Sequence, residues 1–203
     1  MSCGTVKYLA LGRADGADEA WQERFDALSA RLGDSVTHGV GVRATPEEEA
    51  APSLGLLIWA PAAVEVPADV LAAAVPGESW RPFLRLDERV VRDTDYADGS
   101  VLRLGLVRRL PELSRADFAR HWMESHVPTV MVAGPLFDRY VVNIVEGGDS
   151  IDGVVEQQFP DEATCREHDR LAMQEKPQVR ADMQKFIGGA EQFVGRVAYR
   201  WKA

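Results

Sequence analysis

Cysteine, net positive charge and long apolar runs are what this sequence lacks. Two of its 203 residues are cysteine, Cys3 and Cys165, and neither has a partner at a metal or redox spacing. Acidic residues outnumber basic ones by 32 to 23, and the net charge of −9 argues against a nucleic-acid partner, because phosphate binding requires a basic surface. No apolar run approaches the ~20 residues of a membrane-spanning helix, and no basic signal peptide opens the chain. We therefore expect a cytoplasmic protein with free thiols and with neither a nucleic-acid nor a membrane partner.

The strands and helices that the sequence predicts come in one order, which occurs twice. In the first half, apolar periodicity predicts strands and helices at residues 6–11, 18–32, 35–43, 54–59, 67–75 and 83–92. In the second half, the corresponding segments are 101–109, 114–126, 137–145, 153–159, 161–185 and 193–201. Gly33 is placed to end the first helix, Ser114 to begin the third, and Pro177 to break the last. Both halves therefore have the order βαββαβ.

This order predicts an α+β fold made of tandem ferredoxin-like units, each with a four-stranded antiparallel sheet and two helices on one face. The uncovered face of such a sheet needs a partner. Two halves that pack sheet to sheet would close an intramolecular α+β barrel, a pseudo-dimer whose interior suits a small apolar ligand. We place the halves at residues 1–95 and 99–203, with a linker at 93–100.

The most informative feature is a stripe of two aromatic residues and a histidine. Phe118, Trp122 and His126 are spaced four apart, so a regular helix presents them on one face. An imidazole titrates near neutral pH, and a sheltered one can act as an acid or a base. The alternative is a core histidine that is bonded to a backbone carbonyl.

Several segments of the second half together resemble one protein family. They are Leu104–Arg109, Leu113–Phe118, Trp122, His126–Pro128, Arg139–Asn143, Asp152–Phe159, Ala181–Asp182 and Phe186. In order and spacing they resemble the EthD family of the dimeric α+β barrel superfamily. The first half is similar to it only in pattern, as a degenerate copy. The resemblance implies a small organic substrate and no cofactor, but it does not fix the reaction, since relatives include decarboxylases, lactone isomerases, polyketide cyclases and proteins that accompany an oxygenase.

Three residues are candidates for catalysis. His126 would be the general acid or base. Tyr140 would donate a hydrogen bond to a carbonyl or enolate oxygen, or else only pack at the sheet edge. Asp182, which matches a family position on the last helix, would orient a histidine or bond only to backbone.

Four residues are candidates for substrate binding. Trp122 would form a flat apolar wall, with Phe118 beside it in the stripe. Asn143 stands three residues after Tyr140, so an ideal strand sends the two to opposite faces and at most one faces the barrel interior. Glu156 would need a raised pKa or a cationic partner if it lay inside, although a carboxylate is more often exposed.

Two other histidines are expected outside the site. His121 precedes His126 by five residues, which separates them by ~140° around a regular helix, so they should not share a substrate or a metal. His168 stands in a charged helical stretch and is expected at the surface. We expect no metal and, since no phosphate-binding loop occurs, no nucleotide cofactor.

The two halves differ at the stripe. When Phe25 is aligned with Phe118, Ser29 matches Trp122 and Gly33 matches His126. This predicts one working pocket per chain, unless the first half supplies its far wall through His38, Trp59 and Trp80.

The sequence therefore predicts a cofactor-independent lyase or isomerase that decarboxylates, cyclises or shifts a proton in a small aromatic, phenolic or lactone-type acid. A non-catalytic protein that binds a hydrophobic metabolite for an oxygenase is the alternative. A cofactor-free or haem-using oxidase is a third option. Exposed helix faces could also pair two chains as a homodimer.

Overall fold

The computed structural model describes residues 5–12, 18–33, 36–43, 54–64, 66, 81–147 and 150–202. The helix predicted at 67–75, Trp80 and Cys3 lie outside these residues. The strands are Thr5–Gly12 (β1), His38–Arg43 (β2), Leu54–Pro61 (β3), Arg81–Arg92 (β4), Val101–Arg109 (β5), Arg139–Glu146 (β6), Gly153–Phe159 (β7) and Ile187–Lys202 (β8). The α-helices are Asp18–Leu32 (α1), Arg115–His121 (α2), Val127–Val132 (α3), Glu162–Gln174 (α4) and Pro177–Met183 (α5). This alternation confirms the predicted mixture of α and β structure.

The predicted and observed elements differ most at β8. This strand begins at Ile187 rather than at 193, and Gly188 and Gly189 lie within it. A Cβ on Gly188 would lie 2.9 Å from the carbonyl oxygen of Arg109, so the close approach of two backbones requires glycine there. By contrast, β5 and β7 begin and end at the predicted residues. Within the described residues, no helix has both the length and the apolar character needed to cross a bilayer.

The chain divides into two compact units. The first comprises residues 1–87, 96–99 and 195–203, and its strands are hydrogen-bonded in the order β4, β1, β3, β2, β8. Helix α1 ends at Leu32, and Gly33 follows with a φ of +47°, as its predicted place at the helix end requires. The buried residues of its core cluster are aliphatic apart from one tyrosine: Tyr8, Ala10, Leu28, Leu32, Val36, Leu54, Leu56, Ile58, Ala60 and Val66.

The second unit comprises residues 88–95 and 100–194, with its strands in the order β8, β5, β7, β6, β4. Its core cluster is rich in aromatic residues: Phe118, Trp122, Phe137, Tyr140, Phe159 and Phe186 are all buried in it. On β5, every residue from Val101 to Val107 is buried, so neither face of this strand is open to water. The helix predicted at 161–185 is broken as expected, into α4 and α5, with Pro177 in the first turn of α5.

Candidate functional site

The helix that carries His126 starts as predicted but has an unexpected geometry. Ser114 caps α2, since its Oγ accepts a hydrogen bond from the backbone N–H of Asp117 at 3.0 Å. After His121 the chain forms one π-helical turn, Trp122–His126, in which the N–H of Val127 bonds to the carbonyl of Trp122. A π turn closes hydrogen bonds between residues five apart, and such turns often occur at functional sites.

This π turn corrects the predicted position of His121. Regular helical geometry separates His121 from His126 by ~140°, but the wider turn brings both to one carboxylate. Asp182 on α5 contacts His126 Nδ1 through Oδ2 at 3.0 Å and His121 Nε2 through Oδ1 at 3.2 Å. The side chains of His126 and Asp182 are each 8% exposed, whereas that of His121 is 26% exposed. Asp182 therefore contacts a histidine, which was one of the two alternatives predicted for it, and it contacts His121 as well as His126.

The environment shifts the titration of both groups. Burial lowers the pKa of His126 below 6.5, and the nearby His121 adds to this, although the hydrogen bond and charge of Asp182 partly oppose it. For Asp182, burial acts to raise the pKa, but His126, His121 and Lys185 outweigh it and leave the pKa below its usual value. The expected resting state at neutral pH is therefore a neutral imidazole beside a carboxylate.

The predicted stripe is buried as a unit. The rings of Phe118 and Trp122 meet edge to face at 5.2 Å, and Phe186 lies 5.0 Å from His126 and 5.8 Å from Trp122, centroid to centroid. The indole rests on β7 at Gly153, where a Cβ would lie 2.4 Å from its Cζ3 atom. The indole N–H of Trp122 is buried without a hydrogen-bond acceptor in bonding geometry among the described residues.

A cavity of about 460 Å³ lies between the helices and the sheet of the second unit. His126, Trp122 and Tyr140 line it, so three of the predicted site residues meet at one space. Its other walls come from Gly105 and Val155 on the sheet and from α3, α4 and α5. Phe118 does not line the cavity, but supports the indole that does.

Tyr140 lies on the helix-facing side of the sheet. It is 2% exposed, and its ring stacks on Phe137 at 4.8 Å. Burial raises the pKa of its phenol to about 12, an effect that Trp122 and the charge of Arg103 only partly offset. The phenol therefore remains protonated, as a hydrogen-bond donor, throughout the physiological range.

The cavity has a second group of polar residues that the sequence reasoning missed. Arg103 on β5 is buried, and its Nε and Nη2 donate to Gln157 Oε1 at 2.9 and 2.6 Å. Its Nη1 forms an ion pair with Asp169 of α4, and its guanidinium lies 5.2 Å from the Phe159 ring centroid. All of these residues except Phe159 line the cavity.

His168 belongs to this group, and its predicted surface position was wrong. It is 6% exposed and packs against the rings of Phe137 and Phe159 at 5.5 and 5.3 Å. Burial, Arg103 and Lys176 lower its pKa to about 4. A signal was present, because His168 stands three residues after Cys165 and four before Ala172, on a single helix face.

Asn143 and Glu156 lie on the opposite face of the sheet, away from this cavity. Tyr140 and Asn143 therefore lie on opposite faces of the sheet, as their odd spacing predicts. Asn143 Nδ2 donates to Glu156 Oε1 at 2.6 Å and to the carbonyl of Val154 at 3.0 Å. Both side chains are fully buried, so Glu156 is not exposed to water as most carboxylates are.

In the first unit, the aromatic residues named as an alternative wall pack on one another. The rings of His38 and Trp59 stack at 4.2 Å, and the ammonium of Lys7 lies 4.5 Å from the Trp59 ring centroid. The cavity described above is lined by residues of the second unit. Cys165 is a free, buried thiol. Among the described residues, no group of three His, Cys, Asp or Glu side chains is arranged to hold a metal ion.

Comparison with known proteins places the fold. No family model and no curated protein matches the sequence. A proposed monooxygenase from Fusobacterium nucleatum superimposes with a TM-score of 0.63 at 9% identity, over 98% of this chain and 94% of its own. An anthrone oxidase-like protein does so at 0.60 and 10% identity, over 98% and 92%. A chlorite dismutase variant from Candidatus Nitrospira defluvii, solved with cyanide, gives 0.60 and 11%, over 98% and 93%.

The chain shares its fold with these solved structures. At these identities the likeness shows the fold alone. It agrees with the superfamily to which the sequence resemblance points, whereas the EthD family itself remains an inference from the motifs of the second half.

Proposed function

We propose that this chain is an EthD-like, cofactor-independent lyase or isomerase that acts on a small aromatic, phenolic or lactone-type acid. The observation that carries the proposal is the contact of His126 Nδ1 with Asp182 at 3.0 Å, beside a largely apolar cavity that His126 lines. We further infer that halves 1–95 and 99–203 are both ferredoxin-like units. The strand orders given above for the two units, which correspond strand for strand, support this inference.

His126 would be the base. Because Asp182 accepts the hydrogen of Nδ1, the lone pair is on Nε2, the nitrogen available to a substrate. The lowered pKa of His126 keeps the ring neutral at pH 7 and ready to accept a proton. When it does so, the carboxylate beside it stabilises the imidazolium.

The substrate step is a proton abstraction. The C–H or phenolic O–H bond breaks, its proton moves to His126 Nε2, and its electron pair moves toward the carbonyl or phenol oxygen. Tyr140, protonated because its pKa is about 12, would donate a hydrogen bond to that oxygen. The imidazolium then returns the proton to a different atom. A positioned base supplies a factor of about 10²–10⁴ and an oxyanion donor about 10²–10³.

The test is His126→Ala, with His38→Ala as the control that removes an imidazole from the first unit. Phenolic acids, aromatic keto acids and unsaturated lactones would be incubated with each protein in D₂O, and proton NMR would follow C–H exchange and product formation. We expect His126→Ala to remain folded, as circular dichroism would show, but to lose about 10²–10⁴-fold in rate, and His38→Ala to keep its rate. An unchanged rate in His126→Ala would remove this residue from the chemistry.

The two alternatives give different results in the same experiment. A carrier for an oxygenase would retain a ligand, form no product and tolerate His126→Ala. The neighbours described as a monooxygenase and an anthrone oxidase-like protein favour a second candidate, in which the same base forms a phenolate or enolate that reacts with dioxygen. Oxygen uptake during turnover would identify this candidate, while the lyase or isomerase proceeds without it.

A further inference from the structure

The cavity has two polar ends, and we propose that the end away from His126 binds the carboxylate of the substrate as an anchor that the reaction leaves intact. The proposal rests on the proposed function, because it takes the substrate to be an organic acid. It specifies the position of the carboxylate in the cavity and selects among the candidate reactions.

The separation of the two ends follows from the strands beneath them. The indole of Trp122, in the same π turn as His126, rests on Gly153. Gln157 is four residues farther along β7 on the same face, and it pairs with Arg103 across the β5–β7 ladder. At the rise of a β-strand, the two ends are on the order of 10 Å apart.

The far end is rich in hydrogen-bond donors that protein acceptors do not use up. A guanidinium has five N–H groups, and within the described residues Arg103 uses three of them, on Gln157 and Asp169, which leaves two. His168 accepts a hydrogen bond from the backbone N–H of Leu136 at its Nδ1, so its Nε2 carries the proton of the neutral ring. Arg103 and His168 are each 6% exposed. Both residues line the cavity, so their remaining N–H groups suit an anion with two acceptor oxygens.

The charge of the lining also favours an anion. The residues that line the cavity include three cationic side chains, Arg103, Lys176 and Arg180, against one carboxylate, that of Asp169. The chain as a whole has a net charge of −9. A local excess of positive charge in an acidic protein attracts a negatively charged ligand.

An anchored carboxylate narrows the reaction. Decarboxylation places the proton on the carbon that carried the carboxylate, so the catalytic acid would have to lie beside that carbon. His126 instead reaches a carbon several bonds away. It would break a C–H bond there, the electron pair would move to a conjugated oxygen, and the same proton would return to another atom. No CO₂ leaves, and the reaction is an isomerisation or a ring closure.

The experiment compares two probes of one shape, 2-naphthoate and the neutral 2-naphthamide, by isothermal titration calorimetry. We expect the wild type to bind the acid about 10- to 100-fold more tightly than the amide, and Arg103→Met to abolish this preference. Arg108→Met is the matched control, since Arg108 lies on the same strand in an exposed ion pair with Glu191 and does not line the cavity. It should keep the preference.

Two further measurements decide the result if Arg103→Met does not fold. Lys176→Gln, at a half-buried position of the lining, should reduce the preference several-fold, and a crystal structure with 2-naphthoate should show its carboxylate at Arg103. Equal affinity for the two probes, or a carboxylate seated at His126, would overturn the proposal. His126→Gln should keep the preference for the acid over the amide. If replacing His126 left turnover unchanged while the preference persisted, the proposed function would be refuted and the carboxylate site would stand.

Discussion

The helices that follow β1 in the first unit and β5 in the second differ in one stretch, and that stretch carries the candidate chemistry. In the first unit, α1 runs for 15 residues and is followed by Gly33 with a φ of +47°. In the second, helical structure runs from Arg115 to Val132, includes a π turn, and is followed by Gly134 with a φ of +67°. Both helices thus end in the same way, but the second is longer.

The first unit lacks the counterparts of both Trp122 and His126, and His126 lies in the extra length of the second helix. When the two helices are aligned on Phe25 and Phe118, the half-buried Ser29 corresponds to Trp122 in sequence, and the exposed Gly33 corresponds to His126. The first core cluster is almost wholly aliphatic, whereas the second adds aromatic rings beside a histidine–carboxylate contact. The comparison shows that one strand order supports an aliphatic core cluster in the first unit and an aromatic one, beside the cavity, in the second.

The largest expected effect separates the two cores. Phe118→Ala removes a fully buried ring that supports Trp122, and should lower the free energy of unfolding by about 3–5 kcal/mol. Leu28→Ala, in the aliphatic core, should cost about 2–5 kcal/mol. Urea unfolding followed by fluorescence gives both values. Phe118→Ala should also weaken the binding of 2-naphthoate, and Leu28→Ala should leave it unchanged. Equal losses of binding would show that the comparison between the units does not hold.

A smaller effect is expected where the indole meets the sheet. Gly153→Ala places a methyl group 2.4 Å from Trp122, so the ring must move, at a cost near the upper end of the 1–3 kcal/mol range for overpacking. Gly33→Ala meets no atom within 4 Å and should cost about 1–2 kcal/mol through its positive φ alone. Thermal unfolding ranks the two, and only Gly153→Ala should change ligand affinity. A more damaging Gly33→Ala would contradict the proposed support of the indole by β7.

Sequence reasoning reached the elements with strong local signals. The alternation of β5, the cap at Ser114 and the break at Pro177 depend on neighbouring residues, and the structure has all three. The π turn has no such signal in its neighbouring residues. The contacts that its residues make, of Trp122 with Gly153 and of His126 with Asp182, are with distant parts of the chain. His121 was therefore misplaced.

The second polar end of the cavity escaped prediction for a related reason. Arg103 alternates with leucines along β5, a pattern typical of a strand with one exposed face, but both faces of β5 are buried. Its partners Gln157 and Asp169 come from two other elements, so no spacing in the sequence links the three. The periodicity did predict the burial of Phe118, Trp122 and His126, because that prediction needs only the spacing of residues within one helical segment.

The smallest expected effect is a pH dependence that belongs to the second unit. Because the pKa of His168 is about 4 in the folded protein and near 6.5 when unfolded, the unfolded chain binds a proton first as the pH falls. The stabilisation is complete above pH 6.5 and is lost between pH 6.5 and about 4. Relative to His168→Asn, whose amide oxygen can still accept from Leu136, the wild type should lose about 2 kcal/mol of unfolding free energy between pH 7 and pH 4.5. Urea denaturation at both pH values measures the difference. Parallel losses in wild type and variant would mean that folding does not shift the pKa of this histidine. The folded imidazole would then gain its proton between pH 7 and pH 4.5 and add to the positive charge that the anchored carboxylate would meet.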